Sequence, residues 1–290
     1  MRMKQGVLCI IVWMCLGLPR AHAQIATDIL DEVSDSVGNI TDVLFPGVTN
    51  IRLGLGPTIS PDYEGSDDYK IKALPLVSFR YKDLIEVDNN NLRVNFFGFN
   101  PTVHEKHFRA GPLLKIDFGR NENDNPALAG LGNIGTSVEL GVFGSYSAGP
   151  TRTRIRFFHD VAGGHSGTRV IGDVRLVLLK TDKAAVSSSI NTTWADNNYM
   201  SEFFSITPAQ SLASGMPRFN AGAGLKNAGI GITGNYELTR RWAVLVHADY
   251  KRLLGDAVDS PIVSLHGSPN QFATGVFLIF SFEKKEQSQK

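Results

Sequence analysis

Residues 108–119 read FRAGPLLKIDFG, and their parity decides the fold. Phe108, Ala110, Pro112, Leu114, Ile116 and Phe118 make one series; Arg109, Gly111, Leu113, Lys115, Asp117 and Gly119 make the other. In an extended chain successive side chains point to opposite faces. One face of this strand is therefore apolar, and the other carries full charges. The same period of two returns at 136–143, 169–178, 244–251 and 272–282.

A soluble β-sandwich also alternates, so alternation alone does not settle the environment. Strand length and connection length do. The periodic segments are about 10 to 12 residues long, enough for a tilted strand to cross a bilayer. Short connections (Lys82-Asp83, Ser147 to Pro150, Lys180 to Lys183, Thr239 to Arg241) alternate with longer ones (Pro61 to Tyr69, Arg120 to Ile134, Val161 to Gly167, Asp196 to Arg218, Gly255 to Ser268). Tight turns at one end and long loops at the other are the pattern of an outer-membrane barrel. The reading predicts an all-β antiparallel transmembrane β-barrel at 49–282 with about twelve strands: 51–60, 70–81, 84–88, 92–99, 107–119, 135–146, 151–160, 168–179, 184–195, 219–238, 242–254 and 270–282. If 84–88 and 92–99 are not membrane strands, the count becomes about ten. Tyr81, Phe97, Phe99, Phe118, Tyr146, Trp194, Trp242 and Phe282 fall near strand ends, where interfacial rings belong.

The N-terminus supplies the export route. Arg2 and Lys4 precede the apolar run Val7 to Leu18, and Ala21-His22-Ala23 follows. That order marks a signal peptide at 1–23, cleaved between Ala23 and Gln24. The segment carries Arg2, Lys4 and Arg20 and no acid, so the full chain's 29 Lys+Arg and 28 Asp+Glu become 26 and 28, a formal net charge of −2. That balance argues against nucleic acid as a partner. Both cysteines, Cys9 and Cys15, leave with the signal segment, which excludes a mature thiol nucleophile, a disulfide framework and a Cys-ligated metal. Between the signal and the barrel, residues 24–48 place Ile29, Leu30, Val33, Val37, Ile40, Val43 and Leu44 at helical spacing. They read as a short periplasmic amphipathic helix or as a disordered leader. A polar tail, 283–290, follows the last strand.

The loops carry a family's text. Leu53-Gly54-Leu55-Gly56 leads to Pro61-Asp62-Tyr63-Glu64-Gly65-Ser66-Asp67-Asp68-Tyr69. Gly111-Pro112-Leu113, Gly119-Arg120 and Gly130-Leu131-Gly132-Asn133-Ile134 come next. Tyr199-Met200, Phe203-Phe204, Thr207, Gln210-Ser211 and Ser214-Gly215 precede Arg252-Leu253-Leu254-Gly255-Asp256-Ala257 and Ser260-Pro261-Ile262-Val263. In this order, over about residues 50–282, the set resembles the MipA/OmpV family (MltA-interacting protein) of Gram-negative outer-membrane proteins. The resemblance implies a cell outer-membrane location amid lipid and lipopolysaccharide, and a non-enzymatic role. It implies a scaffold between a murein transglycosylase and a murein synthase, with porin-like roles discussed for other members. Phe204-Ser205-Ile206 stands where the family pattern leads one to expect Phe-Gly-Val.

Three constellations carry possible chemistry. Arg152, Arg154 and Arg156 share a strand face, and facing lipid they would cost roughly 2–4 kcal/mol each at mid-membrane. They are expected in the lumen with Arg52, Arg109, Lys115, Arg169 and Arg175, countered by Asp117, Glu139, Asp173 and Asp249. A salt-bridged filling is favoured over an anion-attracting pore, because a barrel of this size has little spare interior. Asp62, Glu64, Asp67 and Asp68 are read as a solvated external loop in preference to a calcium site, since the spacing does not fit a calcium loop. His159, Asp160, His165 and Ser166 contain the groups of a rim lipid hydrolase, but a Gly-rich turn is a poor frame for a nucleophile and its base. No phosphate-binding loop is present and no cofactor is expected. The alternatives to a scaffold are thus a small-solute channel and, less favoured, a rim hydrolase.

Overall fold

A computed structural model describes residues 50–82, 84–98 and 108–283. The signal segment with Ala23 and Gln24, the 24–48 leader and the tail after Glu283 lie outside the described residues. The strands are β1 (Asn50–Pro61), β2 (Tyr69–Tyr81), β3 (Ile85–Asp88), β4 (Asn91–Val94), β5 (Phe108–Asp117), β6 (Ser137–Ala148), β7 (Thr151–Asp160), β8 (Thr168–Lys180), β9 (Ala184–Ala195), β10 (Gly224–Glu237), β11 (Trp242–Leu253) and β12 (Asn270–Glu283). Each pairs antiparallel with its sequence neighbours, and β1 pairs with β12, so the sheet closes into a barrel of twelve strands rather than ten. Ile51 lies opposite both Phe79 of β2 and Phe282 of β12 at the seam.

The register keeps one parity of every strand on one face. On β7, Arg154, Arg156, Phe158 and Asp160 are buried while Thr153, Ile155, Phe157 and His159 are exposed. The outer face is an apolar belt that includes Leu55, Ile71, Val142, Ile155, Ile190, Ile230 and Leu278. A continuous apolar exterior on a closed sheet is stable only in hydrocarbon, where closure pairs the first strand with the last. Rings gather near the strand ends: Trp242 meets Phe280 edge-on at 4.9 Å, and Phe280 meets Phe282 at 4.7 Å.

The wall departs from expectation at β3 and β4, which are four residues each. The segment expected at 92–99 as one strand ends at Val94, with only an isolated bridge from Phe97 to Ala110 beyond it. The β3–β4 turn does not reach the rim. Asn89 N–H donates to Val77 O (2.8 Å) and Val77 N–H to Asn89 Oδ1 (2.8 Å). On the other side Ile116 N–H donates to Asn90 O (3.0 Å) and Asn90 Nδ2 to Ile116 O (2.7 Å). This turn therefore stitches β2 to β5 partway up the wall, and no strand among the described residues pairs with Tyr69–Leu76 of β2 on that side. Pro75 lies in this stretch, where its missing N–H would have pointed to the open side. The alternation of short and long connections consequently breaks here: the long-loop end has a two-residue turn, and the link from β4 to β5 is long.

The long outer connections are folded, not solvated. They contain 3-10 turns at Glu122–Asp124 and Pro126–Leu128, helix α1 (Asn197–Phe204), helix α2 (Pro208–Ser214) and single-turn helices α3 (Asp256–Asp259) and α4 (Pro261–Ser264). Strand β10 starts at Gly224 instead of 219, because Phe219 bridges Ile206 within this cap. One buried cluster joins Tyr199, Met200, Phe203, Phe204, Leu253 and Val263; a second joins Tyr63, Leu128, Leu131, Ile206, Met216 and Ile262. Loop 61–69, expected as a solvated acidic loop, is instead built into the cap: Tyr63, Asp62 and Glu64 are buried. Gly65 makes this possible, since at φ 100° a side chain would be strained and its Cβ would lie 2.5 Å from Val263.

Candidate functional site

The charged inner face is the chemically distinctive part of the barrel. Arg169 of β8 meets Glu139 of β6 through two nitrogens, Nη2–Oε2 at 2.5 Å and Nε–Oε1 at 3.1 Å, and reaches Asp117 of β5 at 3.3 Å. His165 Nε2 lies 3.3 Å from the same Glu139. Register sets Lys115 directly across from Glu139. Next along the wall, Arg154 Nε and Arg156 Nη2 of β7 both bond Asp173 Oδ1 of β8, at 3.0 and 3.2 Å. Lys115, Arg154, Arg156, Arg169 and Asp173, with Arg175, Lys226 and Lys251, line a cavity of about 70 Å³. That is room for a few water molecules. Phe158, Leu113 and Phe143 pack together on the same inner face, so apolar side chains fill part of the lumen.

The other residues expected in the lumen are Arg109, Arg152, Asp249 and Arg52. Arg109 and Arg152 are half-buried, and Arg152 Nε contacts Ser147 Oγ at 3.4 Å. Asp249 pairs with His247 Nε2 (3.1 Å), whose Nδ1 meets Thr233 Oγ1 (2.9 Å). Arg52 is buried on β1. A second network escaped the sequence reading: Arg80 pairs with Glu86, and Arg93 bridges Glu86 (3.0 Å) and Asp88 (2.8 Å) across β2, β3 and β4. The alternation Glu86, Asp88 was its only signal, and four-residue strands are too short to make that convincing.

The cap sits directly on the lumenal network. Lys226 Nζ bonds Glu64 of the first outer loop (2.7 Å) and lies 5.0 Å from the Tyr199 ring centre. Arg169 meets the same ring, its guanidinium carbon also 5.0 Å from that centre. Tyr199 stacks on Phe203 at 4.4 Å, one helical turn on. Asp196 starts α1 by accepting from Tyr199 N–H (2.9 Å), and its backbone hydrogen bonds hold its pKa below the ordinary value. Arg120 is buried and donates to Phe203 O (2.9 Å); burial pulls its pKa down to about 10. The Tyr63 hydroxyl donates to His266 O (2.9 Å), and burial first, then Asp67, pushes its pKa up to about 12.

The groups of a rim hydrolase are not assembled. His165 Nδ1 accepts from Gly167 N–H (3.0 Å) and its Nε2 points to Glu139, so neither nitrogen serves Ser166. Asp160 is used by the backbone N–H groups of Ala162, His165 and Ser166. His159 faces outward against Thr168. The acids of loop 61–69 are taken up by protein partners: Asp62 and Asp68 both accept from Asn125 Nδ2 (3.1 and 3.0 Å), Asp62 also meets Lys70 (3.2 Å), and Glu64 meets Lys226. Among the described residues, no group of three or more His, Cys, Asp or Glu is placed to hold a metal ion.

A family model described as MltA-interacting protein MipA matches residues 53–282. No curated protein matches the chain. Among solved structures, the NanC porin is 11% identical with a TM-score of 0.41, covering 80% of this chain and 98% of that one. An outer membrane channel from Pseudomonas putida F1 is 10% identical with a TM-score of 0.42, covering 82% and 97%. OmpT of Vibrio cholerae is 8% identical with a TM-score of 0.33, covering 80% and 96%.

Proposed function

The chain belongs to the MltA-interacting protein MipA family, and from that premise we propose that it is a membrane-fixed scaffold which holds a murein transglycosylase, and with it a murein synthase, at the inner side of the outer membrane. The observation that carries this reading is the density of ion pairs on the inner face of the barrel together with the folded outer loops. Ion pairs and a small apolar cluster line the inner wall, and the outer loops pack into an apolar core of their own. A barrel built this way suits anchoring better than conduction. Its remaining working surfaces among the described residues are the short turns at 149–150, 181–183 and 238–241, and the reading adds the 24–48 leader to them. The role is non-enzymatic.

The test is capture of murein enzymes from solubilised envelopes, using the intact mature chain and a form lacking 24–48. Loss of the transglycosylase with the leader supports docking through it. Unchanged recovery removes the leader from the reading, and no recovery with either form removes the scaffold.

The basic cavity favours a second reading, a small-solute channel. Planar-bilayer recording of the folded barrel separates the two. A scaffold gives no steady conductance while the cap is intact.

A further inference from the structure

The inner wall differs on its two sides. Round the closed ring β1 and β7 stand six strands apart in either direction, so they face each other across the lumen. On the β7 side the wall is basic: Arg154 and Arg156, with Arg175 of the neighbouring β8, are buried on the inner face. On the β1 side it is apolar. Register sets Ile279 of β12, Gly54 of β1 and Leu76 of β2 in one row, and Leu245 of β11 beside Phe277 of β12. Ile279, Leu76, Leu245 and Phe277 are almost wholly buried. The apolar clusters of the cap and of Leu113, Phe143 and Phe158 are made of other residues. An apolar strip on an inner wall is stable only under cover from water.

The place of this strip points to what covers it. The row through Gly54 lies four residues, about 13 Å, along β1 from Asn50, at the end of the barrel that carries the short turns. The chain enters β1 at that end, so the 24–48 leader joins the barrel at the mouth nearest the strip. Pro46-Gly47, a turn signal, stands just before the entry. Ile29 to Leu44 as a helix is about 24 Å long, enough to pass the strip and run on up the lumen. At about 100° per residue, Ile29, Val33, Val37, Ile40 and Leu44 fall on one side of that helix, and Asp28, Asp31, Asp35 and Asp42 on the other. The leader holds five Asp and Glu residues and no Lys or Arg. Its two faces thus match the two sides of the wall. Closed barrels of nearly this size hold a central helix.

We propose that the leader folds back through the periplasmic mouth and lies in the lumen as a plug, its apolar stripe on Leu76, Phe277 and Ile279 and its acids towards Arg154, Arg156 and Arg175. Arg154 and Arg156 already bond Asp173. A guanidinium has several N–H donors, so an acid of the helix adds to such pairs without replacing them. The inference does not rest on the scaffold reading, which keeps the short turns as surfaces whether or not the leader is seated. Its test needs no murein enzyme.

The chain from Gln24 onward has no cysteine, so introduced thiols report without background. The experiment is oxidative cross-linking of the folded mature barrel in detergent, carrying Val37→Cys with Ile279→Cys. The expected result is an intramolecular link, seen as a mobility shift of the unfolded chain that reduction abolishes. Val37→Cys with Leu278→Cys, whose side chain faces lipid, should give none. Leu76→Cys replaces Ile279→Cys if that variant does not fold. A second readout uses Val37→Cys alone with a polar maleimide. Labelling should be blocked in the folded barrel, restored by unfolding, and faster when Asp31→Asn and Asp35→Asn are added. Equal labelling of folded and unfolded chain, or links to Leu278→Cys as frequent as to the inner positions, overturns the proposal.

Discussion

Arg169 of β8 and Glu139 of β6 meet over the intervening strand β7 as a two-point pair, 2.5 and 3.1 Å, with both side chains almost wholly buried. Removing one partner strands the other as a buried charge, which costs about 3–5 kcal/mol. Arg169→Met should therefore lower barrel stability by about that amount. Glu139→Gln should do less, because Asp117 remains beside Arg169. The double variant should recover part of the loss. Urea unfolding in detergent, followed by gel mobility, measures all three.

Tyr63 gives the cap a defined alkaline limit. Its folded pKa of about 12 lies above the ordinary 10.0, so its proton is held more tightly in the folded state. The linked stability is full below pH 10 and is lost as pH rises from 10 towards 12. The cap should loosen in that window, and phenolate absorbance assigned by difference from Tyr63→Phe should appear near 12. Appearance near 10 would mean that the ring is solvated.

Asn89 fixes the short hairpin in two ways. Its φ of 48° is left-handed, and its side-chain oxygen accepts from Val77 N–H. Asn89→Gly loses only the hydrogen bond. Asn89→Val also meets the left-handed penalty of about 1–2 kcal/mol. Thermal unfolding should rank the valine variant well below the glycine variant.

Ser166→Ala should leave outer-membrane lipid composition unchanged. His165 is not placed as its base, because Nδ1 accepts from Gly167 N–H and Nε2 is directed to Glu139. Lipid profiling of cells carrying the variant checks this, and any altered acyl pattern would return catalysis to consideration.

The strands and the inward arginines were legible because ten or more residues of strict alternation leave one arrangement that spares lipid from charge. Arg154 and Asp173 illustrate it: each lies on the charged parity of a long strand, and register brings them opposite. The Arg80, Glu86, Arg93 and Asp88 network was not legible, since two of its three strands span only two alternations. The cap was hidden for another reason. Its segments are rich in Gly, Asn, Ser and Pro, which read as loops, while its cohesion rests on contacts between distant residues. Glu64 and Lys226 are 162 positions apart. Tyr199, Met200, Phe203 and Phe204 do repeat at helical spacing, and that pattern was the available clue to α1.

The folded cap has a consequence for whatever approaches the cell from outside. An antibody or a phage tail fibre meets one sculpted surface whose relief is set by Leu128, Met216 and Ile262 beneath it, not a set of independent peptides. Recognition of that surface is conformational. It vanishes when the protein is boiled, although every residue is still present, and peptides cut from single loops do not reproduce it.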